Sequence, residues 1–341
     1  MSTDQKLVPL TIAQDTHTRN PSKFLLNTFV TKTEAFDSES VQVDLIKEGE
    51  KTLPSIQRGK DGVRLETEKF FTGSFVPPYF KLEVPLPANM DTDRIPGESI
   101  LNPYTPDQRR AYRVNRELEL LNKRMDRVEE AQMAEAMFNG TVTSRDINGN
   151  TIAQINLQKS GSHLLTVGTL WDAGGADPLM DLMVACGLNE DDSDIPSTHA
   201  IFGWEAFLAM IQVEKVAKIF DSMNIKIDQI DAAIRQQSAT RIGILGISGL
   251  EAWVLNTSYR DFATGDRVKH LDPKKVWVGS MHSPKSRYFA RIDHKLAPSK
   301  SERFSYLYET NDKSSDIIGF QSAPLPVDNL PDASSTLTVL T

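Results

Sequence analysis

The sequence predicts an α+β fold, in which helices and strands mix without a repeating βαβ order. Three observations carry that reading. Residues 106–138 hold one helical pattern much longer than any other, and strand patterns crowd 241–292 and the tail. Upstream, two strand-like runs enclose a charged, glycine-bearing tip and are followed by a proline-dense stretch.

The first 23 residues are polar and broken by Pro9 and Pro21, which reads as an extended arm with little core of its own. Phe24, Leu25, Leu26, Phe29 and Val30 then make an apolar patch, expected to be a short helix or turn that docks onto the body. From 40 to 49, Val41, Val43 and Leu45 alternate with Gln42 and Asp44, the period of a strand. A second run at 63–71 follows a tip formed by Arg58, Gly59, Lys60, Asp61 and Gly62. The pair reads as a long hairpin-like excursion. Arms of about 15 residues at ~3.3 Å each would reach ~50 Å. A hairpin of that length has no core and needs a neighbour to lie on.

Prolines at 77, 78, 85, 87, 96, 103 and 106 forbid a helix and predict a stiff, extended connector. Thr105-Pro106-Asp107-Gln108 then supplies a cap, a proline at the first helical position and an acid in the first turn. Val114, Leu118, Leu121, Met125 and Val128 recur at spacings of four and three, and Asn139-Gly140 ends the run. At ~1.5 Å per residue the helix is a strut of roughly 50 Å. Beyond it, 141–158 predicts a hairpin turning at Asn148-Gly149, 164–171 a strand, and Asp177-Pro178 the start of a helix reaching Cys186. A short strand running into one helix is expected over 199–221, four strands over 241–292, and returning strands in the tail.

Composition narrows the function classes. The 341 residues carry 38 Lys and Arg against 46 Asp and Glu, a net charge of −8, and the pI is near 5.4. Such a surface does not draw the whole molecule onto nucleic acid or an anionic membrane. A single cysteine, Cys186, excludes a disulfide framework and a cysteine-rich zinc site within one chain. The opening MSTDQKLVPL lacks a basic and an apolar signal region, so no signal peptide is expected, and no apolar stretch approaches the ~20 residues of a membrane span. The six histidines are scattered without an HExxH pattern. Cys186 reads as a small core thiol, and Gly246-Ile247-Ser248-Gly249-Leu250 lacks the last glycine of a nucleophile elbow. The acidic run Glu190, Asp191, Asp192 and Asp194 has no EF-hand spacing and is expected to be a solvated loop. No catalytic residue, metal site or cofactor is expected.

Two basic clusters stand out. Residues 267–303 carry ten Lys and Arg against three acids, net +7, leaving −15 for the remainder. They read either as a solvated strand face or as a contact with acidic neighbours or a polyanion. Arg109, Arg110, Arg113 and Arg116 crowd the start of the long helix, where the macrodipole disfavours cations. That placement points to partners on another subunit.

An arm, a projecting hairpin, a stiff connector and a strut helix leading into a compact α+β region together resemble the major capsid protein of tailed bacteriophages. More specifically, the chain resembles the lambda-type capsid protein E family, which has the Hong Kong 97-like phage capsid fold. The resemblance rests on FLLNTFV (24–30), QRGKDGVRLETEKFFTGSFVPPYFKLEVPL (57–86) and NPYTPDQRRAYRVNRELELL at the helix start. It continues in HAIFGWEAFLAMIQVEKVAKIFD (199–221) and IIGFQSAPLPVDNLPDASSTLTVL (317–340). It implies an N-terminal arm (1–40), an E-loop and connector (41–100), a spine helix and P-domain (101–171), an A-domain (172–316) and strands returning to the P-domain (317–341). It also implies a shell of hexamers and pentamers assembled in the bacterial host cytoplasm with scaffolding and portal proteins, and in some members a decoration protein. Packaged DNA would meet the inner face non-specifically, and no membrane is involved. Two alternatives stay open at this level. One is an encapsulin-like compartment. The other is a soluble hydrolase with a dispersed site, whose general base would be His163, His199 or His270.

Overall fold

A computed structural model of the chain describes residues 22–46, 70–86, 89, 91–95, 98, 104–222, 239–245, 249–309 and 315–341. The described elements begin with α1 (Phe24–Phe29), β1 (Lys32–Ala35), β2 (Val41–Ile46), β3 (Phe70–Phe75) and β4 (Phe80–Pro85). The long helix α2 (Pro106–Asn139), the hairpin β5 (Thr141–Arg145) and β6 (Thr151–Asn156), and β7 (Leu164–Thr166) follow. Then come α3 (Pro178–Ser193), β8 (His199–Phe202), α4 (Trp204–Gln212), α5 (Glu214–Ser222), β9 (Ala239–Leu245) and β10 (Leu250–Leu255). The chain continues through β11 (Ser258–Arg260), β12 (Arg267–Lys269), β13 (Lys275–Gly279), β14 (Lys285–Phe289) and β15 (Phe304–Glu309). It closes with β16 (Asp316–Ser322), β17 (Pro324–Asp328) and β18 (Ser334–Thr338).

Both ends of α2 form as the sequence dictates. Thr105 and Gln108 make a reciprocal capping box, Pro106 occupies the first turn, and Gly140 closes the helix at φ 68. The expected stripe is present, since Leu121 and Met125 are buried and Val114, Leu118 and Val128 pack beside them against Ile318 and Phe320 of β16. From Met133 to Phe138 the helix joins a second cluster with Phe24, Leu25 and Phe29 of α1 and with Trp277. The apolar patch of the arm therefore docks, as its composition predicts.

A six-stranded sheet in the order β7-β18-β13-β8-β10-β9 carries the largest core. A sheet β1-β14-β17 lies against a further cluster that includes Val41, Val43 and Leu45 of β2. Pro324 and Pro326 are tolerated in β17 because, among the described residues, it is an edge strand paired with β14 alone. A third sheet joins β15, β16 and β4, and Gly319 leaves room for the Tyr306 ring, which a Cβ there would strike. Pairing crosses the segments expected from the sequence: β18, from 317–341, lies between β13 and β7, whereas β14, from 172–316, is flanked by β1 and β17.

Several local expectations change. The acidic run is not a loop: Glu190, Asp191 and Asp192 form the last turn of α3, closed by Asp194 at φ 56. The helix over 199–221 breaks at Val213, whose extended backbone lets Met210 and Val216 both reach the core. The strand expected over 164–171 stops at Thr166, and β11, β12 and β15 are additional. Among its described residues the connector contains one strand, β4, paired with β16.

Candidate assembly surface

The hairpin predicted from 40 to 71 is present at its base. β2 and β3 pair antiparallel from Val41 opposite Phe75 to Ile46 opposite Phe70. The candidate tip residues Arg58, Gly59, Lys60, Asp61 and Gly62 lie outside the described residues. Val41, Val43 and Leu45 point into the body and are fully buried, which anchors the base.

The arginines at the start of α2 have partners within their own chain. Arg109 donates from Nε and Nη2 to Glu98 Oε1 at 3.1 and 2.7 Å, and from Nη1 to the Thr92 carbonyl at 3.0 Å. Glu98 also accepts the backbone N–H groups of Ile95 and Tyr104 at 2.9 and 2.7 Å. The Arg109 guanidinium, with those amides, holds the Glu98 carboxyl down at about 2. Arg110 bonds Asp316 of β16, and Arg113 donates to the Asp93 carbonyl at 3.0 Å. The cations that the helix dipole disfavours thus hold the connector and β16 onto the helix. Arg116, partly buried, also makes an interaction. The mismatch with the dipole, which pointed to another subunit, is answered inside the chain for the first three.

The basic segment divides in two: Arg267 and Lys269 lie on β12, a strand exposed along its length, whereas three other cations face inward. Lys285 is fully buried, and Arg287 bonds Glu129 at 2.9 Å and Glu302 at 3.2 Å. Arg303 bonds Asp126 at 2.7 Å and Glu129 at 2.6 Å. The acidic neighbours of this segment are carboxylates on the inward face of α2. One of them has a phase legible in the sequence, for Glu129 follows Met125 by four positions and Leu121 by eight. Arg291 and Lys295 remain exposed.

The three histidines that could serve a hydrolase are embedded. His163 Nε2 meets Asp192 at 2.8 Å, and its Nδ1 meets Ser335 Oγ at 2.9 Å. The residue types match a catalytic triad, but His163 and Ser335 are fully buried, so a substrate does not reach the hydroxyl. The cluster ties α3 to β18. Burial lowers His270 to about 4, with the Thr257 backbone opposing. Burial also lowers His199, which bonds Thr198 Oγ1 at 2.8 Å. Cys186 is half-buried, and burial pushes its thiol up.

Exposed apolar side chains are spread over much of the described chain, and two sets of them lie on or beside the helices. Met180, Met183 and Val184 are exposed on the outer face of α3, with Trp204 at the start of α4. Val76, Tyr79, Tyr104 and Tyr112 are exposed about the connector and the first turns of α2. No described helix is long and apolar enough to cross a membrane.

The long helix packs against β16, β17 and β18, one strand from each of three sheets. A prophage capsid protein from E. coli CFT073 superposes with a TM-score of 0.69 at 16% identity, over 99% of both chains. The capsids of native and empty GTA particles give TM-scores of 0.51 and 0.50 at 9% and 10% identity, each covering 94% of this chain and 91% of the other. The family model for phage major capsid protein E matches residues 11–339, and the chain belongs to that family. No curated protein matches it in sequence. The protein is a structural component of a phage head, built by self-assembly of copies of this chain.

Proposed function

We propose that copies of this chain close into an icosahedral shell of hexamers and pentamers around packaged double-stranded DNA. Assembly takes place in the bacterial host cytoplasm, on a scaffolding protein and from a portal, and a decoration protein is compatible with the exposed faces. The match to the capsid family over nearly the whole chain carries this reading. Within it, 1–40 acts as the N-terminal arm, 41–100 as E-loop and connector, and 101–171 as spine helix and P-domain. Residues 172–316 act as the A-domain, and 317–341 as the strands that return to the P-domain. The net charge of −8 suits an inner wall along which DNA moves without sticking.

The hairpin tip, Arg58 to Gly62, acts between subunits. Its support is the buried base at β2, paired with β3, and the tip's composition, three charges between glycines. Electron microscopy and native mass measurement of the purified protein test the shell: closed shells or capsomer rings are expected, and a monodisperse 38.1 kDa monomer at high concentration overturns it. Replacing 57–63 by a short Gly-Ser link tests the tip. The variant should keep its melting temperature and fail to close shells; normal shells, or an unfolded subunit, would assign the hairpin to the subunit's own core.

A further inference from the structure

Lys285 and Asp328 are register partners across the antiparallel pair β14 and β17. Both are buried, at 0% and 1% exposure, and Lys285 Nζ stands 3.9 Å from Asp328 Oδ2. That separation is too long for a hydrogen bond, and Asp328 Oδ2 has no hydrogen-bond partner. Among the described residues, the three N–H bonds of a lysine ammonium find the Ser280 carbonyl alone, at 3.3 Å. The rings of Phe29 and Trp277, each 5.8 Å from Nζ, wall the site with apolar surface. As an ion pair this arrangement is poor, because two desolvated charges are repaid only by close contact and full hydrogen bonding.

We infer that Lys285 and Asp328 join in an intrachain isopeptide bond that staples β14 to β17. The uncharged amine of Lys285 attacks Cγ of the protonated Asp328 carboxyl. A bond forms between Nζ and Cγ, and the bond from Cγ to one carboxyl oxygen breaks. That oxygen leaves as water, taking the carboxyl proton and one amine proton, and the amide keeps the second amine hydrogen. Nothing is oxidised or reduced. Burial drives both partners toward the uncharged forms this step needs: it lowers Lys285, with Asp328 opposing, and raises Asp328, with Lys285 and Lys159 opposing. The paired strands hold nucleophile and carbonyl together, which replaces a bimolecular encounter by a unimolecular step. The product removes two buried charges and the orphan oxygen at once.

Mass spectrometry of the denatured full-length protein tests the bond. The folded, purified chain should weigh one water less than its sequence requires. Trypsin should fail to cut after Lys285, leaving a branched peptide that joins 276–287 to 314–341. Lys285→Met and Asp328→Ala should each restore the full sequence mass. An unmodified mass with normal cleavage after Lys285 overturns the inference, as does a water loss located elsewhere, for example a succinimide at another aspartate. The wild-type protein alone decides, so a variant that fails to fold does not obscure the answer.

Discussion

The two ends of the long helix handle charge in opposite ways. At its start no side chain before Leu121 is buried, and the polar contacts are made by Arg109, Arg110 and Arg113 to the connector and β16. In its second half Asp126, Glu129 and Glu130 are themselves buried among core residues. Glu98, clamped by Arg109 at the first end, is held down at about 2, whereas burial lifts Glu130 at the second to about 7. The same functional group is driven in opposite directions by what surrounds it: a guanidinium in one place, desolvation in the other. The helix is therefore tied at its start by arginines that reach out to the connector and β16, and built into the core at its end.

The largest effect expected from breaking this contrast is at Glu129. It is fully buried and bonds both Arg287 and Arg303, so Glu129→Ala leaves two guanidinium groups short of a partner. Removing one member of a buried ion network costs about 3–5 kcal/mol. Denaturant unfolding of the unassembled subunit measures it. A loss below about 1 kcal/mol would put the network on a level with an exposed pair such as that of Arg110.

Glu130 comes next, and its signature is a pH dependence. Its two oxygens accept the N–H groups of Leu25 and Leu26 at 2.9 and 3.2 Å, capping α1 from another element. The folded value of about 7 lies above the ordinary 4.5. The fold thus binds a proton that the unfolded chain has released, and stability falls as pH rises from about 4.5 through about 7. The full swing is up to about 3 kcal/mol. Glu130→Gln should flatten that slope in melting curves taken across the range, and an unchanged slope would assign it to other groups. Glu98 has the reverse sign, since its lowered value adds stability that is lost only as pH falls toward 2.

Much of this molecule is legible in its residues. The capping box, the proline at the helix start and Gly140 fix the long helix to within a residue, and the FLLNTF patch announces its own burial. Local chemistry sets those features, so a local reading finds them. The charge pairings are not legible, because they join residues far apart: Arg303 to Asp126 and Glu129, Arg287 to Glu129, Arg110 to Asp316. A basic run in the sequence shows its charge and not what faces it. Once the strands fold back onto the helix, Arg287 and Arg303 of that run are matched from within, while Arg267, Lys269, Arg291, Lys295 and Lys300 stay exposed. The acidic run at 190–192 misled for a related reason. Its residues continue the turn begun by an apolar helix, and Asp192 is used by His163.

The smallest effect is expected at Arg110, where the contrast between the two ends is sharpest. Its guanidinium meets Asp316 with 42% of the side chain exposed, so solvent screens the pair and a long side chain loses freedom in making it. Arg110→Ala should cost no more than about 1 kcal/mol in the unassembled subunit, against several for Glu129→Ala on the same helix. Shell formation, followed by light scattering, supplies the second readout. If Arg110 only holds β16 to the helix, shells form at the wild-type rate and the melting temperature moves slightly. If the rate collapses while the subunit melts as before, its working partner is a carboxylate on a neighbouring subunit, and the contact with Asp316 is where the side chain waits before assembly. A large loss of subunit stability would break the comparison itself, because it would show that the start of the helix is as firmly built in as its end.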